Sequence, residues 1–278
     1  MKKFIAIAAA ILGTASIASA ADMAVKAPVY SAPVAVYSWT GFYVGLNAGY
    51  AWSDPFITSN FTCPAGGCSV NVPANLANII AASTGRISAR GFTGGGQAGY
   101  NWQSGNFVLG VETDIDAFDV KGSRSAAVQS ATTASIFHPA TSLSTDWLFT
   151  LRGRAGFAVA PTVLLYATGG LAVTEARLSN AYTTTNNPAN TGAGASSSSK
   201  TMAGWTLGGG IEWALNRNWS VKGEYLYADF GSISNVTFVT EPGSNANVFA
   251  TSTPLRTQIV RGGLNYKFDW GAPVVARY

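Results

Sequence analysis

Residues 40–52, Thr40-Gly41-Phe42-Tyr43-Val44-Gly45-Leu46-Asn47-Ala48-Gly49-Tyr50-Ala51-Trp52, alternate strictly between two kinds of side chain. In an extended chain Phe42, Val44, Leu46, Ala48, Tyr50 and Trp52 share one face, and Tyr43, Gly45, Asn47, Gly49 and Ala51 share the other. A half-buried strand of a water-soluble protein turns its large residues to a core and offers charge or amides to water. Here the second face is small, and the bulky face ends in aromatics. That pattern fits a barrel whose outer wall meets lipid and whose interior is filled by side chains.

The pattern recurs. Phe92 to Trp102 alternate again, and Gln103-Ser104-Gly105-Asn106 has the residues of a tight turn. A third strand carries Phe107, Leu109, Val111, Thr113, Ile115 and Ala117 outward against Glu112, Asp114 and Asp116. A fourth carries Trp147, Phe149, Leu151, Ala155 and Phe157 against Arg152 and Arg154, and turns at Ala160-Pro161-Thr162. The fifth, about 163–177, sets Val163, Leu165, Ala167, Leu171 and Val173 against Leu164, Tyr166, Thr168 and Thr174. Trp205, Leu207, Ile211, Trp213 and Leu215 mark a sixth with Glu212 inward, and Asn216-Arg217-Asn218 leads to a seventh in which Trp219, Val221, Tyr225 and Tyr227 oppose Lys222 and Glu224. In the last strand Val260, Leu264, Tyr266 and Phe268 face away from Arg261, Asn265 and Lys267.

Eight strands result, and their connections alternate long and short. The long ones are 53–89, with a short helix expected at Asn75–Ala82, then 120–145, 178–200 and 229–254. The expected fold is all-β: an eight-stranded antiparallel transmembrane up-and-down barrel with long extracellular loops and short periplasmic turns. Aromatics supply an independent sign, because lipid-facing barrels carry a girdle at each interface. Trp102, Phe107, Phe157, Trp213, Trp219 and Phe268 gather at the short-turn ends, and Tyr50, Trp52, Phe92, Trp147, Trp205 and Tyr227 toward the long connections. A soluble barrel of the same strand number would bury its large residues and expose charge.

Composition agrees. Only 11% of the 278 residues are charged, against 47% hydrophobic, and 31 are glycine. Past the first residues, no run of 18 or more apolar residues offers a spanning helix. Lys2 and Lys3, the apolar run Phe4–Leu12 and Ala18-Ser19-Ala20 form a secretory signal expected to be cut after Ala20. The expected organisation is therefore a signal peptide at 1–20, a proline-containing periplasmic leader at 21–38, the barrel at 39–268 and a periplasmic tail at 269–278. Loss of Lys2 and Lys3 takes 17 basic residues to 15 against 13 acidic ones, a balance that gives no case for nucleic-acid binding.

Four segments carry a family resemblance: residues 40–50, Arg152-Gly153-Arg154-Ala155-Gly156, Tyr166-Ala167-Thr168-Gly169-Gly170-Leu171-Ala172 and Arg261-Gly262-Gly263-Leu264-Asn265-Tyr266-Lys267-Phe268. The chain resembles the outer-membrane immunogenic protein family of RopB type, also called porin-family proteins. The resemblance implies an eight-stranded barrel in the outer membrane of a Gram-negative bacterium. The expected partners are outer-membrane lipid and lipopolysaccharide, with host or surface ligands at the loops, although the residues identify no particular loop ligand. The last segment is also similar to the signal read by the barrel-assembly machinery, through Gly263, Tyr266 and Phe268. That signal usually ends the chain, whereas here Asp269 to Tyr278 follow it.

The loops offer little chemistry. Cys63 and Cys68 are the only cysteines of a secreted chain and are expected to form a disulfide across the first loop. A zinc site lacks partners, because His138 is the only histidine. Ser135 and Ser142 lie near it, but no acid follows it before Asp146, so neither catalysis nor a cofactor is expected. Gly94-Gly95-Gly96 and Gly208-Gly209-Gly210 lack the lysine and helix of a phosphate loop, and read instead as room for large interior neighbours.

The interior is where the charges converge. Strand phase sets Glu112, Asp114, Asp116, Glu212 and Glu224 inside with Arg152, Arg154, Lys222, Arg261 and Lys267, the last near the periplasmic mouth. Desolvated charges cost several kcal/mol each unless paired, so a paired network plugging the lumen is expected. The expected function is structural and surface-exposed, supporting envelope integrity. A small porin passing solutes is the alternative.

Overall fold

The computed structural model describes residues 37–63, 73–185, 191–240 and 246–268. The expected signal peptide, residues 21–36 of the leader, Cys68 and the tail 269–278 lie outside the described residues. Among those residues the alternation is realised as β1 (Gly41–Ser53), β2 (Phe56–Thr62), α1 (Pro73–Ser83), β3 (Gly85–Arg86), β4 (Ala89–Ser104), β5 (Phe107–Ser125), β6 (Val128–Gln129), β7 (Ile136–Ala160), β8 (Val163–Thr185), β9 (Ala193–Ala214), β10 (Trp219–Val239) and β11 (Asn247–Lys267).

Strands β1, β4, β5, β7, β8, β9, β10 and β11 pair in that order, and β11 pairs back onto β1 from Tyr43↔Lys267 to Trp52↔Gln258. The antiparallel path therefore closes on itself and has no free edge over that length. The remaining strands are short. β2 continues the line of β1 beyond Asp54-Pro55 and pairs with the far half of β11, from Val248↔Thr62 to Ser252↔Thr58, while β3 pairs with β2 and β6 with β7. Pro55 has no N–H to give a ladder, which accounts for the break between β1 and β2.

The short turns follow local chemistry. Ser104 pairs with Phe107 across a two-residue turn in which Gly105 has φ +59°. Ala160 pairs with Val163 across Pro161-Thr162. At 215–218 the Asn216 Oδ1 accepts from the backbone N–H of Asn218 and of Trp219, each at 2.9 Å.

At the other end the strands run well past the expected boundaries. β5 reaches Ser125 and β7 begins at Ile136, so much of 120–145 is strand, and the same holds for 178–200 and 229–254. Segment 53–89 holds β2, β3 and α1. Two physical causes account for the difference. Register slips between Thr145 and Leu148 in β7 and between Asp229 and Ser232 in β10, the latter at Gly231 with φ +79°, shift the period by one residue and end the visible alternation. In β8 there is no slip at this level, but the apolar side changes from outward to inward.

The interior consequently has three layers. At the short-turn end Trp39, Val108, Ala158, Leu164, Tyr166 and Ala214 form an apolar cluster. Charges occupy the middle. Toward the long connections lies an apolar core that includes Phe118, Leu143, Leu148, Leu178, Met202 and Ile259. A further cluster caps it, with Phe61, Ile79, Phe137, Tyr182, Val239 and Phe249. Outside the middle layer Leu46, Phe107, Leu109, Ile115 and Leu207 are exposed.

α1 belongs to the cap. Asn75, Ile79 and Ser83, spaced four apart on one face, are its buried residues, and full burial of Ile79 contributes about 1.5–3 kcal/mol. Pro73 sits in the first turn, where its missing N–H costs nothing. At the other end Arg124 donates through Nε and Nη2 to the Ala82 carbonyl at 3.2 and 3.1 Å, placing a cation against the helix C-terminus. Asn75 ties the start of the helix to the wall: its Nδ2 donates to Ser130 Oγ at 3.2 Å and its Oδ1 accepts from the Ala131 N–H at 2.7 Å. Among the described residues no helix is long and apolar enough to cross a membrane, which says nothing of strands.

Candidate functional site: an interior charge network

The middle layer is built by strand phase. Glu112, Asp114 and Asp116 occupy alternate positions of β5, Arg152 and Arg154 of β7, and Lys222 and Glu224 of β10, so each set points to one side of the wall. Register then brings opposite charges face to face: Glu112↔Arg152, Lys222↔Glu212 and Glu224↔Arg261 are direct cross-strand partners. All nine of these residues are at most 4% exposed.

Two guanidinium groups form the hub. Arg152 Nη2 lies 2.5 Å from Glu112 Oε1 and 2.8 Å from Asp114 Oδ2, and its Nη1 lies 3.0 Å from Glu224 Oε1. Arg261 Nη1 reaches Asp114 Oδ1 at 2.9 Å and Asp116 Oδ2 at 2.8 Å, and its Nε donates to Glu224 Oε2 at 2.8 Å. Lys222 Nζ donates to both oxygens of Glu112, at 2.8 and 2.9 Å. Arg154 takes the side toward the short turns, with Nη2 2.7 Å from Glu212 Oε2 and its guanidinium 4.0 Å above the Tyr166 ring.

Neutral donors complete the shell. Thr150 gives a hydrogen bond to Asp114 at 2.5 Å, Tyr43 to Glu112 at 2.7 Å, Tyr166 to Glu224 at 3.1 Å, and Asn47 to Asp116 at 3.0 Å. Glu212 accepts from Ser220 at 2.6 Å and Asn265 at 2.8 Å. Every one of the five carboxylates thus has at least two donors, the condition under which a buried ionic cluster is tolerated. Arg154 Nε is the member atom left without a hydrogen-bond partner. Glycines on the inner face make room: a Cβ on Gly99 would lie 2.5 Å from the Tyr43 hydroxyl, and one on Gly210 2.7 Å from that of Tyr166.

Other expected residues fall elsewhere. Lys267 donates to the Ser38 carbonyl and sits 4.3 Å over the Tyr37 ring, at the short-turn mouth. Tyr266 and Phe268 stack edge-on at 5.2 Å, with Trp219 5.1 Å from Tyr266. Gly263 faces inward, where a Cβ would stand 3.1 Å from the Lys222 side chain and from Gln97. Cys63 is disulfide-bonded, and Cys68 lies outside the described residues. His138 contacts Thr185 Oγ1 at 3.0 Å on the exposed side, and no metal-holding group of His, Cys, Asp and Glu occurs among the described residues.

Sequence reasoning missed several contributors, Thr150, Ser220, Tyr43, Tyr166 and Trp39 among them. Tyr43 and Tyr166 were visible as large residues on faces otherwise small or polar, a sign that something inside needs them. Trp39 gives no such sign, because it precedes the first strand. It is buried, and its backbone N–H donates to Gln103 Oε1 at 2.7 Å, so residues 37–39 turn into the barrel end.

A family model described as outer membrane protein beta-barrel domain matches residues 7–268. The chain belongs to that family. The 31 kDa outer-membrane immunogenic protein of Brucella melitensis is 39% identical over 264 residues, spanning 91% of this chain and 95% of that protein. The 25 kDa outer-membrane immunogenic protein of Brucella abortus is 28% identical over 275 residues, spanning 96% and 99%. Among solved structures, Neisserial surface protein A aligns at 16% identity over 82% of this chain and 98% of its own, with a TM-score of 0.35. OprG of Pseudomonas aeruginosa aligns at 13% over 84% and 98%, with a TM-score of 0.37. The protein is an all-β, antiparallel outer-membrane barrel of the immunogenic type, located in the outer membrane.

Proposed function

We propose that this chain is a structural and surface-presenting outer-membrane barrel whose lumen is plugged, rather than a conduit or an enzyme. The membrane-crossing body in this reading is the closed circuit of eight strands from β1 to β11, with the short turns periplasmic and the long connections outside. The outer leaflet, including lipopolysaccharide, surrounds it, the barrel-assembly machinery reads its last strand, and host or surface ligands meet its loops. The observation that carries the reading is the interior network, in which five carboxylates and four cations at most 4% exposed bridge opposite walls. Trp39 below it and the apolar core above add two further seals. A hydrated solute crossing such an interior would have to break several charge-assisted hydrogen bonds at once.

Conductance of the purified, refolded protein in a planar bilayer tests this. The wild type is expected to show no large steady current. Arg154→Ala removes one wall-to-wall tie and is expected to lower thermal stability or open a small leak, and Glu212→Ala on top of it to recover part of the loss. A large steady wild-type current, unchanged by Arg154→Ala, replaces the plug with a small-solute porin.

A further inference from the structure

The outer half of the wall is two sheets rather than one. β5, β7, β8 and β9 stay paired toward their outer ends, as far as Ser125↔Ala140, Ile136↔Thr185 and Thr183↔Ala193. So do β10, β11 and β2, as far as Val239↔Asn247 and Val248↔Thr62. On one side α1 closes the space between these sheets, with Ser59 Oγ donating to the Ser83 carbonyl at 3.3 Å and Arg124 to that of Ala82. On the other side β9 faces β10 directly. Their ladder ends at the girdle, with Trp205↔Asp229, and the next pair is the single bridge Ala193↔Thr240. Residues 194–204 and 230–239 therefore border a seam across which alternate N–H and C=O groups of each strand point at the other without register.

Exposure marks where the seam stands open. Ser196, Ser198 and Lys200 have the inward phase of Met202, and their partners on β8, Asn180, Leu178 and Ala176, are buried, yet Lys200 is exposed and the two serines are half-buried. Glycines bring the strands together at both ends, since a Cβ on Gly204 would collide with the Asp229 carbonyl and one on Gly194 with that of Phe238. Between those points side chains replace the ladder. Asn235 Nδ2 donates to the Ser196 carbonyl at 3.3 Å, and the Ser196 and Thr237 hydroxyls share a hydrogen bond. Beneath them Asn180 Oδ1 accepts from Thr141 at 3.2 Å and from Thr251 of the opposite sheet at 3.0 Å. Asn180 is 2% exposed, and its Nδ2 has no hydrogen-bond partner. The outer rim is apolar on the β10 side, where Val236 and Phe238 stand exposed beside Ala250 and Val248 of β11.

We propose that this seam takes up an extended peptide of a partner protein as an added strand, one whose inward face carries hydroxyls and a carboxylate and whose outward face is apolar. The occupant follows from the borders. Two edges with unmatched backbone groups are satisfied by backbone, which a peptide strand supplies and a sugar or lipid does not. Its outward side chains extend the rows Phe238↔Val248 and Val236↔Ala250. Its inward side offers an acceptor to Asn180 Nδ2 and a carboxylate to Lys200. The clasp of Asn235, Ser196 and Thr237 yields on entry, and exchanging a few side-chain hydrogen bonds for backbone ones costs little net. The proposal rests on the reading that the long connections face outward, and names the class of surface partner that they meet.

The test is titration of the refolded protein in phosphatidylcholine nanodiscs with a fluorescent peptide, Thr-Val-Thr-Val-Glu-Val-Thr-Val, whose length at ~3.3 Å per residue suits the seam. Binding is expected, with slower amide exchange across 195–203 and 231–238. N-methylation of the central amides keeps every side chain and should weaken binding about tenfold or more, because backbone pairing carries the affinity. Lys200→Glu should weaken the peptide about threefold and prefer one with lysine in place of glutamate. Arg217→Glu, an exposed base at the short-turn end, should bind as wild type does. No binding, equal binding of the N-methylated peptide, or protection confined to residues outside the seam overturns the proposal. Nanodiscs present both faces, so this result is independent of which end faces outward. Proteolysis of intact cells reads that separately, since cutting within the long connections is expected and cutting at the short turns alone inverts the topology.

Discussion

Around Arg152 and Arg261 the interior is charged and the exterior apolar, whereas around Leu143 and Leu178 the interior is apolar and the exterior mostly hydroxyl and charge. A single strand, β8, crosses both zones without losing its alternation. Near its start Tyr166 and Thr168 face in and Leu165 and Leu171 face out. Further on Leu178 and Tyr182 face in, while Arg177, Ser179 and Ala181 face out. The pleat fixes only that the two faces differ. What surrounds the wall decides which face is apolar: lipid outside demands an apolar exterior and leaves the polar groups inside, and water outside restores the ordinary order of a packed core. Exceptions such as exposed Val236 and Phe238 show that the outer reversal is incomplete.

The two zones are expected to fail differently. The largest effect belongs to the charged zone. Arg261→Ala strands Asp114, Asp116 and Glu224 without their shared guanidinium and is expected to cost about 3–5 kcal/mol in unfolding. Asp116→Asn in the same chain should return about 1–2 kcal/mol, because it removes one of the unmatched charges. Denaturant titrations of the single and double variants measure both. If Arg261→Ala unfolds at the wild-type midpoint, the middle zone is hydrated rather than cross-tied, and the contrast between the zones disappears.

The apolar zone is expected to behave like the core of a soluble protein. Leu178→Ala leaves a cavity beside Leu143 and Ala176 and should cost about 3 kcal/mol. Its cost should be unchanged by added salt, because no charge is involved. Parallel titrations at low and high salt sharpen the comparison. A salt-dependent cost for Leu178→Ala would mean that this region is not a separate packed layer.

The same reversal explains what could be read from the sequence. The circuit of paired strands was legible because aromatic girdles and two-residue turns recur at matching spacing, and the charged members of the network because period two alone fixes their side. Glu112, Arg152, Arg154 and Glu224 needed no other information. The outer halves of the strands were not legible, because two independent rules fail there. Register slips at Thr145–Leu148 and Asp229–Ser232 break the period, and in β8 the period survives while its polarity inverts, so Arg177, Ser179 and Ala181 look like loop. Trp39 was hidden for a third reason: a residue ahead of the first strand has no strand phase from which its side can be inferred.

The smallest effect concerns the cap, where α1 closes the apolar zone. Asn75→Ala removes the hydrogen bonds to Ser130 Oγ and from the Ala131 N–H, at 3.2 and 2.7 Å, while the apolar contacts of Ile79 remain. Each lost bond is worth about 0.5–1.5 kcal/mol, and the loss falls on the attachment of one helix rather than on the closed strand circuit. Local opening of the helix should therefore become about tenfold more frequent, since 1.4 kcal/mol corresponds to one decade of equilibrium, with the global unfolding midpoint nearly unmoved. Amide hydrogen exchange resolves the two: faster exchange across 76–84 with β8 and β11 unchanged supports a cap held by Asn75 as a separate cooperative unit. Uniformly faster exchange throughout the apolar zone would show instead that the helix and the core beneath it open together, and the boundary between them would have to be drawn lower, at the charge network itself.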